Sequence, residues 1–214
     1  MLELDHVVIA ALDLDAGAAW VSERLGAPLA PGGRHVGWGT HNRLMRLGGG
    51  VYLELIAPDP TQPAPDAPRP FGLDDPAVRA RLARAPALVH WLVRSTDLDA
   101  DLAALRYDPG PARPMTRGTL RWRITLRDDR APPGGGLLPT VIAWDVPPHE
   151  HPAARLPEAG VVLTGLSLAG PQAVLALRPG VASPAPIDWT VADAPSMTLR
   201  LRAPAGDVTI DSGD

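Results

Sequence analysis

The sequence predicts an α+β fold: paired βαβββ modules forming a curved mixed sheet around a cleft, with a β-rich C-terminal third. Three observations predict it. Leu4-Asp5-His6-Val7-Val8-Ile9, followed by Asp13-Leu14-Asp15-Ala16, returns 84 residues later as Leu88-Val89-His90-Trp91-Leu92-Val93 and Asp97-Leu98-Asp99-Ala100. Each copy is followed by strand-like runs joined by glycine-rich turns, Gly48-Gly49-Gly50 in the first and Arg130 to Gly136 in the second. A lone βαβββ sheet would leave one face bare, so two must pair and curl.

The elements follow in order. Residues 4–11 read as a buried strand. Asp13 or Asp15 caps a helix that runs to about Leu25 and ends at Gly26. A short segment near 27–30, a Pro-Gly-Gly turn at 31–33 and strands at about 40–47 and 51–57 complete the first module, 1–58. Residues 59–86 form a proline-rich connector with a short helix over 75–84. The second module, 87–146, repeats the plan: strand 87–95, helix 97–106, a weak strand near 112–116, then strands 119–127 and 138–146. In the extension, 147–214, a strand over 160–168, a helix over 171–178 and strands near 187–191, 197–203 and 207–211 read as a degraded third copy.

Composition narrows the function. The 214 residues are 45% hydrophobic and 21% charged, ordinary for a globular protein with a real core. A net charge of −4 gives no basic footprint for nucleic acid. No apolar run approaches the roughly 20 residues of a membrane helix. The acidic opening Met1-Leu2-Glu3-Leu4-Asp5 enters a strand at once and is unlike a signal peptide, so a cytoplasmic location is expected. The absence of cysteine removes thiolate nucleophiles and cysteine-ligated metals. All 20 basic residues are arginine, which removes lysine Schiff-base chemistry. No P-loop, GxGxxG or GxSxG occurs, so no nucleotide cofactor is expected.

Alternate residues of a strand share a face. If His6 points into the cleft, so do Val8 and Ala10, and in the second copy His90, Leu92 and Arg94. Strand 51–57 then sends Tyr52, Glu54 and Ile56 inward, and a buried Glu54 requires a cation or hydrogen-bond donor. Strand 40–47 contributes Asn42, Leu44 and Arg46. By alignment, strand 119–127 contributes Arg121, Arg123 and Thr125 and packs Trp122, Ile124 and Leu126. Two arginines two apart make a clamp for carboxylate or phosphate. His35, Trp38 and His41 lie on or beside the Gly32–Gly39 loop, which can close over a ligand. Trp20, Trp91, Trp122 and Trp144 fall on packing faces. In His149-Glu150-His151 the following proline rules out zincin geometry, so the segment reads as a loop, with a histidine at the cleft rim as the alternative.

These residues resemble the vicinal oxygen chelate superfamily, which includes glyoxalase I and the extradiol dioxygenases. Gly39-Thr40-His41-Asn42, Tyr52-Leu53-Glu54-Leu55 and Leu120-Arg121-Trp122-Arg123 resemble its glyoxalase-like domain proteins. The likeness covers 2–146 well and the remainder loosely. It implies a divalent metal in the cleft (Zn, Mn or Fe) on His6, Glu54 and His90, and a substrate chelating that metal. Asn42, His41, Arg46, Trp38, Arg121 and Arg123 are the expected substrate-binding residues. One position departs from the pattern: aligning Leu53-Glu54-Leu55 with Ile142-Ala143-Trp144 puts Ala143 where a second carboxylate belongs. The expected activity is a metal-dependent lyase, isomerase or dioxygenase acting on a small anionic oxygenated metabolite. The alternative is a metal-free binding or sequestration protein, with His6, Glu54 and His90 hydrogen-bonded to one another or to arginine. The resemblance leaves a homodimer open.

Overall fold

The computed structural model describes residues 1–213. The first module is β1 (Leu2–Ala10), α1 (Leu14–Leu25), β2 (Ala30–His35), β3 (Thr40–Arg46) and β4 (Tyr52–Pro58). The connector carries α2 (Pro76–Leu82). The second module is β5 (Ala87–Arg94), α3 (Leu98–Ala104), β6 (Ala112–Arg117), β7 (Leu120–Thr125) and β8 (Thr140–Trp144). The remainder is α4 (Pro152–Arg155), β9 (Val162–Gly170), α5 (Gln172–Leu175), β10 (Val181–Ala182), β11 (Ile187–Val191), β12 (Ser196–Ala203) and β13 (Gly206–Asp211).

The repeated Asp-Leu-Asp-Ala tetrad is a repeated helix start. Asp13 caps α1 by accepting from the Ala16 amide at 2.8 Å, and Asp97 caps α3 by accepting from the Ala100 amide at 3.2 Å. Gly26, at φ 66°, ends α1 in the left-handed conformation.

Both modules join one mixed sheet in the order β2-β3-β4-β1-β5-β8-β7-β6, and β10 adds two further pairs to β1. The first strands of the two modules, β1 and β5, meet antiparallel at its centre, each with the last strand of its own module parallel on the other side. The sheet curls until its two edges approach: the Arg117 guanidinium on β6 reaches the Asn42 carbonyl on β3 at 2.9 Å.

Curling divides the core in two. On the convex face Val7, Ile9, Leu53, Leu55, Trp91 and Val93 pack beneath α1 and against the C-terminal strands, through Leu166, Leu168, Leu199 and Ile210. On the concave face Val8, Ala10, Ile56, Leu92, Trp122, Ile124 and Ile142 meet Phe71 and Leu73 of the connector. The parity read from β1, β4 and β5 therefore describes the two faces.

Two local readings need correction. Pro31 and Gly33 lie inside β2 instead of forming a turn between a short segment and β3. β2 is an edge strand with a register shift between these two residues, where a missing N–H is tolerated. The C-terminal strands form a second sheet in the order β11-β9-β12-β13. They are β-rich as expected, but β9 lies between β11 and β12, so the strand order is not that of a third βαβββ copy. Their apolar faces cover the convex side of the main sheet.

Candidate functional site

The concave face holds a narrow cleft of about 40 Å³ lined by His6, Asn42, Glu54, Phe71, Arg117 and Trp122 among others. Its charged groups cluster at the first module.

A β-bulge builds the cluster. The β1–β5 register passes from Leu4↔Val93 to His6↔Leu92, leaving Asp5 as the extra residue. Strict alternation would send Asp5 and His6 to opposite faces; a bulge re-aims a side chain. Asp5 is fully buried, and its Oδ1 accepts from His6 Nδ1 at 2.5 Å. Its Oδ2 accepts from the Trp144 indole N–H at 3.0 Å and from His151 Nε2 at 2.9 Å. Burial opposes the Asp5 charge, but the hydrogen bonds and charges of His151 and His6 outweigh it and hold the carboxyl below the usual range.

The opposite ring nitrogen, His6 Nε2, faces Glu54 Oε2 at 3.6 Å. Burial disfavours the His6 charge, yet hydrogen bonding to Asp5 and Glu54, with their charges, pushes its pKa up to about 9. Glu54 is likewise opposed by burial, and its contacts with His6, the His35 electrostatics and the Asn42 hydrogen bond take its pKa down to about 2. The resting cluster is an imidazolium between two carboxylates. The Tyr52 ring stacks on His6 at 4.4 Å, and burial followed by the Asp5 and Glu54 charges keeps its phenol protonated.

Asn42 fixes the outer side of Glu54. Its amide nitrogen donates to Glu54 Oε1 at 2.5 Å and lies 3.3 Å from His35 Nε2. Its carbonyl accepts from Arg117 and from the Gly33 amide, each at 2.9 Å. Burial lowers the His35 pKa to about 4, so the ring is neutral and its Nε2 is free to accept from Asn42.

The second module is built differently. His90 is fully buried, and burial lowers its pKa to about 3. Its Nε2 pairs with the Thr140 hydroxyl at 2.9 Å, and the Phe71 ring lies 5.4 Å from its own. Phe71 lines the cleft, and His90 is not among its lining residues. Among the described residues no group of three or more His, Asp or Glu side chains is arranged to hold a metal ion. His6 and Glu54 lie together, but His90 is directed to Thr140, so the expected trio does not fit a metal as the side chains stand.

The register also corrects the fourth position. Val8 pairs with Glu54 on β4, and its counterpart Leu92 pairs with Thr140 on β8. Thr140 therefore occupies the place equivalent to Glu54. Ala143 packs in the convex core.

The expected substrate-binding residues are dispersed. Asn42 lines the cleft, whereas Arg121 and Arg123 are exposed. β7 presents Trp122, Ile124 and Leu126 inward, the reverse of the alignment, because its outer face lies in solvent and its apolar side chains find cover only inside the cleft. Trp144 likewise lines the cleft instead of packing on the convex face. Arg46 lies beyond the cleft, paired with Glu158 at 3.0 Å. His41 has the opposite parity to Asn42 and is not a lining residue. Trp38 packs at the periphery of the concave core under the Arg130 guanidinium. Asp5 and Arg117 join the cluster without being anticipated, and His151 joins it against the expectation of a loop, as the alternative reading of its segment allowed. A bulge, an edge-to-edge contact and a loop returning from residue 151 leave no local sequence signal.

Comparison with known proteins follows the fold. A structure of a hypothetical protein from Staphylococcus aureus aligns with TM-score 0.52 at 16% identity, covering 79% of this chain and 69% of that one. Methylmalonyl-CoA epimerase from Mycobacterium tuberculosis aligns at 25% identity over 66% of this chain and 86% of that one, with TM-score 0.41. An epimerase variant from Streptomyces coelicolor, in complex with 2-nitronate-propionyl-CoA, aligns at 22% identity over 66% and 95%, also with TM-score 0.41. The first of these likenesses carries the fold alone, and a comparison with curated proteins finds no match. Residues 4–179 match the family described as "Glyoxalase-like domain". With most of its length matched, the chain belongs to the glyoxalase-like domain family.

Proposed function

We propose that this protein binds a small oxygen-rich organic anion in the cleft and transfers a proton on it, an isomerase- or lyase-type reaction centred on His6 and Glu54. The observation that carries the reading is the buried Asp5–His6–Glu54 array, whose His6 and Glu54 line a largely apolar cleft. Buried charges are costly unless paired, and strongly perturbed acid–base groups in a cleft are the pattern of proton-transfer sites. Arg117 at the rim supplies a cation for an entering carboxylate.

At rest Glu54 is a weak base because His6 and Asn42 stabilise its anion. A ligand oxygen that accepts a hydrogen bond from His6 Nε2–H draws it from Glu54, and the proton affinity of Glu54 rises. Glu54 then accepts a proton from carbon adjacent to the ligand carbonyl, the His6 imidazolium stabilises the enolate oxygen, and Glu54 returns the proton to carbon, regenerating the carboxylate. Asp5 holds the ring through Nδ1, so His6 and Glu54 are the catalytic residues and Asp5 is a positioning residue.

A divalent metal on His6, Glu54 and His90 would require His90 to leave Thr140 and Phe71, and no step here is routed through one. A second reading, binding without chemistry, draws support from Thr140: the second module offers no carboxylate beside its histidine.

Incubation with small α-hydroxy and α-keto carboxylates in D₂O, followed by proton NMR, tests the proposal. Loss of an α-proton signal that disappears in Glu54→Gln and His6→Gln is expected. Saturable ligand binding with no exchange would favour the second reading, and exchange that survives Glu54→Gln would overturn the first.

A further inference from the structure

The largest cavity bordering the site is a different one. It has a volume of about 650 Å³, is open to solvent, and lies past Trp144 and His151. Arg46 and Arg94 line it, continuing the concave parity of Leu44 and Leu92, and Arg123 lines it near the end of β8. Leu98, Val146 and Ala153 give it apolar walls, and Asp145 is the single carboxylate in the lining.

The three guanidiniums differ in freedom. Arg94 is built in: it donates to Glu3 through two nitrogens and to the Gly50 carbonyl at 2.9 Å. Arg46 holds Glu158 at 3.0 Å, and Arg123 donates to both Asp145 oxygens, at 3.2 and 3.0 Å, but these partners' side chains are 74% and 43% exposed. Exposed pairs of this kind contribute little and exchange readily. Arg46 Nε is buried and has no acceptor. A cavity with guanidiniums paired to exposed partners, an unused buried donor and apolar walls suits an oxyanion carried on an apolar body.

We propose that this second cavity binds such an amphipathic organic anion, and that its occupant contacts the acid–base cluster through the wall. Trp144 lines both cavities and donates to Asp5, and His151 lines the second and also bonds Asp5. Any ligand that displaces either side chain changes the hydrogen bonding of Asp5, and hence of His6. The binding half stands apart from the proton-transfer reading; the coupling half rests on the cluster that reading uses.

The test titrates the full chain with phenyl phosphate, and with inorganic phosphate alongside, observing the Trp144 indole N–H and His151 ring resonances by NMR. Saturable binding that moves both signals is expected. It weakens about tenfold or more in an Arg46→Gln/Arg123→Gln double variant, as loss of charged hydrogen bonds predicts. Because Arg123 is exposed, Arg123→Gln alone provides a variant that folds, with a smaller loss. Glu54→Gln leaves the binding intact even if it abolishes proton exchange, which separates the two proposals. Absence of saturable binding at millimolar ligand would overturn the assignment. So would binding lost in Arg117→Gln but unchanged in the double variant, which would place the anion in the first cleft. Binding that leaves Trp144 and His151 unmoved would overturn the coupling.

Discussion

The two modules present the same histidine on the same kind of strand, and the surroundings give it opposite charge. His6 has Asp5 on one nitrogen and Glu54 opposite the other, and is driven to an imidazolium. His90 has a threonine hydroxyl and an aromatic ring, and is driven to neutrality. Both are buried, so desolvation pushes both the same way; carboxylate partners decide the outcome. A duplicated strand thus duplicates position, while chemistry follows whatever the neighbouring strands supply.

The strongest way to break this contrast is to remove each ring. His6→Ala leaves Asp5 and Glu54 buried without their shared counter-charge. Truncating one member of a buried ionic group costs about 3–5 kcal/mol, so a large fall in unfolding free energy is expected by denaturant titration. His90→Ala leaves only the Thr140 hydroxyl without its partner and opens a small cavity, so a smaller loss, of about 1–3 kcal/mol, is expected. Equal losses would contradict the asymmetry.

The pH dependence separates the modules by sign. The folded pKa of His6 lies above its unfolded value, so its contribution is full below about 6.5 and is lost as pH rises through about 9. The folded pKa of His90 lies below its unfolded value, so its contribution is present above about 6.5 and is lost as pH falls towards about 3. Glu54 adds a second loss as pH falls from about 4.5 towards 2. Thermal melts across pH should therefore lose the alkaline slope in His6→Gln and part of the acid slope in His90→Gln. An alkaline slope that persists without His6 would place its origin elsewhere.

Metal addition sharpens the same comparison. With His90 held by Thr140, adding Zn, Mn or Fe is expected to change the melting temperature little. A shift of several degrees, lost in both His6→Ala and His90→Ala, would show that His90 swings to join His6. The smallest effect is expected outside the cleft: Arg121→Ala should alter stability by less than about 0.5 kcal/mol, as for other exposed positions. It should leave ligand binding in the first cleft unchanged, whereas Arg117→Gln weakens it.

Much of the fold was legible because it rests on local rules. The repeated capping tetrad, the alternation in β1, β4 and β5, and the glycine turns specify strand, helix and face within a few residues. The C-terminal strand positions were legible too, but not their order, since an alternating strand does not encode its neighbour. On β7 the pattern of Trp122, Ile124 and Leu126 was plain, yet which side needed cover depended on where this strand's outer face meets solvent, at Arg121 and Arg123. Within the site, His6, Glu54 and Asn42 followed from parity. Asp5 did not, because a bulge breaks parity; nor did Thr140, because register rather than motif pairs it with Leu92; nor His151, which arrives from 146 residues away.

The account turns on the ionisation of the two repeated histidines, and NMR titration of their imidazole rings tests it most directly. It predicts that His6 remains protonated through neutral pH, titrating near 9 and falling in Glu54→Gln, while His90 stays neutral down to about pH 4. Both rings titrating together near 6.5, or a neutral His6 at pH 7, would contradict it.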